Sequence, residues 1–189
     1  FGQTEVPDLA GVKVVHVSAG CLHTVLVLED GTVRAFGEPD LEPDLPDLAG
    51  VKVVEASAGF GHAVLLFEDG TVQAFGDNVY GETDIPDLAG VKVVQTSAAG
   101  GYTVLVLEDG TARFFGKHSG RVRLAGSKVV HASAGLAHAV FVTDCGKVIM
   151  EGQRDFFSLG DIIGARAMRP IAGVNVVYAS VGAQHIALV

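Results

Sequence analysis

The stretch DLAGVKVVHVSAGCLHTVLVLEDGTVRAFG, residues 8 to 37, recurs as DLAGVKVVEASAGFGHAVLLFEDGTVQAFG at 47 to 76 and as DLAGVKVVQTSAAGGYTVLVLEDGTARFFG at 87 to 116. A fourth copy, LAGSKVVHASAGLAHAVFVTDCGKVIMEG, occupies 124 to 152, and a fifth, IAGVNVVYASVGAQHIALV, occupies 171 to 189. The steps between copies are 39, 40, 36 and 47 residues, and a recurring period of this size is the mark of a repeat architecture. Val189 aligns with Val27, and residues 1 to 7 align with 80 to 86, so the chain is expected to open inside one linker and to close inside one hairpin.

Within one copy the pattern is that of β structure. VKVVHVSAG and HTVLVLEDG are short β-branched and aliphatic runs, and TVRAFG alternates after an Asp-Gly pair, a strong hairpin signal because the turn needs a positive φ. Three strands per copy follow. A fourth is expected in the linker, where YGETDIP at residues 80–86 alternates and carries a proline that confines it to an edge. No helix of useful length fits between the turn signals. Units of three or four strands that cannot bury both faces alone suit propeller blades, so the expected fold is all-β: a β-propeller or an open arc of one, in a single repeat domain over 1–189. The repeats are read as 1–37, 38–76, 77–116, 117–152 and 153–189, the last truncated.

The composition agrees. Of 189 residues, 49% are hydrophobic and 19% charged, which excludes intrinsic disorder. Cys21 and Cys145 lie too far apart in sequence for a metal or redox motif and are expected to be free thiols. No apolar run approaches the roughly 20 residues a membrane-spanning helix needs. The net charge of −9 disfavours direct nucleic-acid binding.

Each copy also carries AG-x-x-H, an acidic DG turn and a closing aromatic-Gly pair, in its fullest form Ala58-Gly59, His62, Asp69-Gly70, Phe75-Gly76, Asp77-Asn78 and Gly81. This pattern resembles the repeats of the regulator of chromosome condensation family. Phe stands where that family usually has Trp, Tyr102 replaces the His of copy three, and copy four closes on Glu151-Gly152. The resemblance implies a propeller of seven blades, of which five copies form a part within a longer chain. It also implies a cytoplasmic or nuclear setting, although the residues themselves name no compartment. The family's light-sensing members use tryptophan clusters, and this chain has no tryptophan.

The recurrent polar residues have structural readings. His23, His62, His138 and His185 share one repeat position, and successive blades would hold them a blade width apart, about 10 Å, too far to share one metal ion. They are expected to hydrogen-bond backbone at the loop entering the middle strand. Gly20, Gly59, Gly135 and Gly182 read as turn glycines, and Glu29-Asp30, Glu68-Asp69 and Glu108-Asp109 as solvated hairpin turns, so no catalytic site, cofactor site or metal site is expected. His16 and His131 share a variable position with Glu55, Gln95 and Tyr178, which reads as a polar, partly exposed strand site.

Charge is divided along the chain: residues 1 to 110 hold 18 acidic and 4 basic residues, and residues 111 to 189 hold 4 acidic and 9 basic. Because equivalent linkers share one rim, this division points either to ordinary polar turns or to a partner surface. The candidate partner-binding residues are Lys117, Arg121 and Arg123 on one linker and Arg154, Phe156, Phe157, Ile162, Ile163, Arg166 and Arg169 on the irregular 153–170 segment. Two roles stay open for that segment, an interface or a cover over a blade edge. The expected function is a non-enzymatic protein-binding scaffold or accessory subunit of a larger complex, recognising protein partners through its inter-blade loops. The resemblance supplies two alternatives: a guanine nucleotide exchange factor for a small GTPase, or the substrate-recruiting domain of a larger ubiquitin ligase.

Overall fold

The computed structural model describes residues 2, 4–37, 45, 48, 50–117, 120–121, 126–136, 138–152, 176–182 and 186–189. The described residues form strands and no helix, in five antiparallel sheets that follow one another along the chain. The first sheet holds β1 (Val14–Ala19), β2 (His23–Leu28) and β3 (Val33–Gly37); the second holds β4 (Val53–Ala58), β5 (His62–Phe67) and β6 (Val72–Gly76). The third holds β7 (Val93–Ala99), β8 (Tyr102–Leu107), β9 (Ala112–Gly116) and a short β10 (Gly120–Arg121). The fourth holds β11 (Val129–Ala134), β12 (His138–Thr143) and β13 (Val148–Gly152), and the fifth pairs β14 (Ala179–Val181) with β15 (Ile186–Leu188).

The acidic turns close the hairpins as their sequence requires. Leu28 N–H donates to Thr32 O at 2.9 Å, Gly31 N–H donates to Leu28 O at 2.8 Å, and Gly31 takes φ +84°, a conformation glycine adopts without strain. Asp30 Oδ1 accepts from both Thr32 N–H (2.9 Å) and Thr32 Oγ1 (2.7 Å), and the Asp69/Thr71 and Asp109/Thr111 pairs repeat this clasp. These donors hold all three carboxyls below their usual pKa.

The first strand of each of the first four sheets carries a bulge. Pairing skips a residue between Val14 and His16, Val53 and Glu55, Val93 and Gln95, and Val129 and His131. The skipped valines, Val15, Val54, Val94 and Val130, are exposed. Beyond the bulge the alternation divides the two faces, so that Ala56 and Ala58 pack back on the first sheet while Glu55 and Ser57 reach forward to the third.

Neighbouring sheets pack face to face. Val25 and Val27 of β2 meet Ala56, Ala58, Ala63, Leu65 and Phe67, and the same arrangement recurs at each following seam. The first strands, which carry small residues, touch one another from sheet to sheet. Phe75 and Phe115 on the third strands fill the seams further out. Small residues on one edge and large ones on the other make each seam a wedge, and stacked wedges curve into a propeller arc.

The first strands are laced by side chains. Ser18 Oγ accepts from Ala58 N–H (2.9 Å), Ser57 from Ala98 (2.7 Å), Ser97 from Ala134 (3.0 Å) and Ser133 from Val181 (3.0 Å). One turn of the pattern earlier, Glu55 Oε1 accepts from Thr96 N–H and Oγ1, both at 2.8 Å, and Gln95 Oε1 accepts from Ala132 N–H at 2.9 Å. From the second sheet onward, the inner strand thereby receives side-chain bonds from the sheet before it, which reduces the hazard of an open edge. The variable position of His16, Glu55, Gln95 and His131 is therefore a seam contact and not merely a polar strand site.

Two expectations need correction. No strand forms over residues 80–86; side-chain bonds described below fold that linker into turns, and the fourth strand appears instead as β10, in the next linker, paired with Arg113 and Phe114 of β9. Gly20 and Gly59 are required by close approach and not by a positive φ. A Cβ on Gly20 would lie 2.4 Å from Gly59 O of the next sheet.

Candidate partner-binding rim

The start of each middle strand pairs with the end of the third strand, as His62 does with Gly76, so the loop 59–61 and the outgoing linker from Asp77 share one rim. Asp77 N–H donates to Gly61 O at 2.8 Å, and a Cβ on Gly61 would lie 2.2 Å from Asp77 Oδ2, so only glycine lets the linker sit this close. The linker then folds on itself. Asn78 Nδ2 donates to Asp84 Oδ1 (2.8 Å), Thr83 N–H donates to Asn78 Oδ1 (3.0 Å), and Tyr80 N–H donates to the buried Glu82 at Oε2 (2.6 Å).

This clasp lifts Val79 and Tyr80 to the loop tip, where they are 78% and 53% exposed. The Tyr80 ring lies over Gly101 of the third sheet, where a Cβ would come within 2.7 Å of it. Lys117 Nζ stands 5.5 Å from the ring centroid, a cation–π contact worth about 0.5–1 kcal/mol at an exposed site. Phe60 and Leu136, in the equivalent loops of the second and fourth sheets, are also exposed on this rim. The result is a rigid edge bearing apolar side chains and one placed cation.

Of the residues expected from sequence to bind a partner, Lys117 takes its place on this rim. Arg121 lies in β10, on the outer edge of the third sheet opposite Arg113. Arg123, Arg154, Phe156, Phe157, Ile162, Ile163, Arg166 and Arg169 fall outside the described residues. Val79, Tyr80, Phe60 and Leu136 were not expected from sequence. A usable signal existed, since large apolar residues stand inside a polar linker and between the AG and His of a turn.

Beneath the rim lie the recurrent histidines. His62 reaches forward to the third sheet and does not merely brace its own loop. Thr103 donates its hydroxyl proton to Glu82 O (2.8 Å), so its oxygen accepts from His62 Nε2 (3.0 Å). His62 Nδ1 is buried without a partner, and a Cβ on Gly59 would lie 2.7 Å from it. Burial lowers the His62 pKa to about 4, His23 adds to the effect, and Asp77 opposes it. Burial also lowers those of His23 and His138. At the same position Tyr102 sends its hydroxyl to the carbonyls of Gly135 and His138, and burial raises its pKa. His185 lies outside the described residues. Among the described residues no group of three or more His, Cys, Asp or Glu is placed to hold a metal ion, and no helix is long and apolar enough to cross a membrane. Cys21 and Cys145 are free and exposed.

The fold defines a repeat protein of the β-propeller class. Residues 53–82, from β4 through the clasped linker, match the family model of the regulator of chromosome condensation (RCC1) repeat, and the successive antiparallel sheets form a β-propeller or part of one. Among solved structures it is similar to human WBSCR16, at TM-score 0.76 and 17% identity, covering 94% of this chain and 58% of that one. It is similar also to Prp20p of Saccharomyces cerevisiae, at TM-score 0.74 and 15% identity, covering 97% and 57%, a protein studied for its binding to Gsp1p and histones. A third likeness is the ectodomain of the receptor kinase CR4 of Physcomitrella patens, at TM-score 0.70 and 16% identity, covering 94% and 47%. The chain thus spans little more than half the length of the first two. No curated protein matches the sequence at a significant level. Identities this low establish the shared fold alone.

Proposed function

We propose that this chain is a non-enzymatic protein-binding scaffold that engages its partner along the rim bearing Tyr80. The observation that carries this reading is the clasped linker, which holds Val79 and Tyr80 in solvent with Lys117 fixed above the ring. Exposed aromatic and aliphatic anchors on a rigid frame cost little entropy to bury, which is the character of an interface hot spot. Arg121 and Arg123, with Arg154, Phe156, Phe157, Ile162, Ile163, Arg166 and Arg169 of the longest linker, would extend the surface toward an acidic partner. In affinity capture from cells with the full-length protein, Val79→Asp with Tyr80→Ala is expected to lose at least 90% of a specific partner, a roughly hundredfold weakening of the kind that hot-spot losses produce. Reversal of Arg121, Arg123 and Arg166 is expected to weaken capture in a salt-dependent way. Unchanged recovery of every partner by both variants refutes the reading.

A second reading, exchange factor for a small GTPase, draws on the likeness to Prp20p and its binding to Gsp1p. The two readings separate in a nucleotide-release assay. An exchange factor accelerates loss of labelled GDP from its GTPase, whereas a scaffold that binds the same protein leaves the rate unchanged.

A further inference from the structure

The outer side of β6 carries backbone groups that no other element takes up. Its sheet has the order β4-β5-β6, no strand follows β6 among the described residues, and the linker from Asp77 to Lys92 forms no strand. Phe67 N–H donates to Thr71 O and Asp77 N–H donates to Gly61 O, which sets the phase of the ladder: alternate residues of β6 bond β5, and those between, Val72, Ala74 and Gly76, turn their backbone groups outward. The first and third sheets pack on the two faces of this one, so the edge is open because its own linker is short. The same groups are guarded in the neighbouring sheets. In the third sheet β10 lies along β9, with Gly120 opposite Phe114, the counterpart of Ala74. Arg34 Nη1 donates to Val33 O at 3.1 Å in the first sheet, and Arg113 Nη1 donates to Ala112 O at 3.5 Å in the third. The second sheet has the shorter, exposed Gln73 in their place, and among the described residues no such bond caps Val72 O.

We propose that β6 takes up an extended, basic segment of a protein partner as the fourth strand of its sheet, antiparallel and by strand addition. β10 is the internal precedent, a strand seated on the matching edge, and the segment that contains it, KHSGRVRL at 117–124, is itself basic. The surroundings of β6 define the occupant. Val72 and Ala74 pack beside Ile85, Leu88 and Val91, so a partner residue opposite Ala74, which shares its face, meets an apolar surface and is apolar itself. The ends and flank of the strand are acidic: exposed Glu68 and Asp69 precede it, Asp77 follows it, and Asp84 and Asp87 stand exposed in the linker beside Ile85 and Leu88. Lys92, which faces Asp69, and Lys52, whose carbonyl accepts from Glu68 N–H, offset only part of this charge. Basic flanks on the partner strand complement the remainder and speed its association, while the backbone bonds hold it. The contact uses none of the side chains of the rim that bears Tyr80.

Fluorescence anisotropy with the full-length protein and a labelled peptide of sequence KKVTVTVKK tests this. The central valine is placed to face Ala74, and the lysines to face the carboxylates. The peptide is expected to bind with a Kd below about 1 mM, and more weakly as salt rises. Ala74→Pro removes one outward N–H at an edge position where proline leaves the β5–β6 ladder intact, and is expected to weaken binding about tenfold. Gln73→Arg supplies the guanidinium that caps the outward carbonyl in the first and third sheets, and is expected to weaken binding as well. Far-UV circular dichroism checks that both variants are folded, and Gln73→Arg decides the matter if Ala74→Pro is not. The double variant Val79→Asp with Tyr80→Ala is expected to bind the peptide as the wild type does, which separates this edge from the rim. Absence of binding up to about 1 mM, equal binding by the β6 variants, loss in the rim variant instead, or equal affinity for EEVTVTVEE overturns the proposal. Self-association of the wild type that Ala74→Pro abolishes would assign the edge to a second copy and overturn it too.

Discussion

Acid weakens the joint between the second and third sheets through one side chain, His62. Its proton sits on Nε2, facing the Thr103 oxygen, and a second proton has to go to Nδ1, which is buried, has no acceptor and lies against Gly59. The cationic form is thus disfavoured in the folded state, and the pKa falls from 6.5 to about 4. The unfolded chain binds this proton more readily, so stability is at its full value above pH 6.5 and declines as the pH falls toward 4, below which the loss is complete. A shift of that size corresponds to about 3 kcal/mol, a large share of a typical domain's total. His23, His138 and the clasped carboxylates also titrate, so the informative quantity is a difference between variants. His62→Gln retains a donor for Thr103 and cannot be charged. Urea denaturation of both proteins at pH 7, 6, 5 and 4 gives that difference. Wild type is expected to lose about 3 kcal/mol more than His62→Gln over this range. A differential loss below about 1 kcal/mol would show that Nδ1 finds water or an acceptor in solution, and the reasoning from the closed ring pocket would fail.

Two further outcomes follow from the lacing and the turns. Ser97→Ala leaves Ala134 N–H buried without its acceptor and is expected to cost about 1–2 kcal/mol in denaturant unfolding of residues 1–189, whereas Ser180→Ala, at the same repeat position but exposed, is expected to cost less than about 0.5 kcal/mol. Ala89 sits at φ +52° in an exposed turn, a strained state for alanine that asparagine tolerates, so Ala89→Asn is expected to raise stability by about 0.5–1 kcal/mol in the same assay.

Much of the architecture was legible in the chain because each signal is local. Asp30, Gly31 and Thr32 close a hairpin by bonds to one another, and the period of the copies sets how many such hairpins there are. The linker 80–86 misled for an equally physical reason: its alternating polar residues suit a strand, but Asn78 and Glu82 capture backbone N–H groups that a strand would need for pairing. The candidate surface was only partly legible. Lys117 could be placed on a rim by repeat position, yet its contact with Tyr80 joins two different linkers, and nothing in either linker alone specifies that meeting.

The variable seam position shows why repetition in sequence hides specificity in structure. Ser18, Ser57, Ser97 and Ser133 are identical because each meets the same thing, a backbone N–H at fixed register. Two residues earlier the partners include side chains, and the residues differ from seam to seam: Glu55 meets the hydroxyl of Thr96, Gln95 reaches both Ala132 and His131, and His131 bonds Ala179 O while its ring stacks on Tyr178. Each choice fits the next sheet and not the others, so the sheets are interchangeable in backbone but not in order. A chain of near-identical blades gains a defined sequence of seams in this way, and with it a fixed position for the one linker that presents Tyr80. The serines hold the arc together, and the variable residues determine which blade stands beside which.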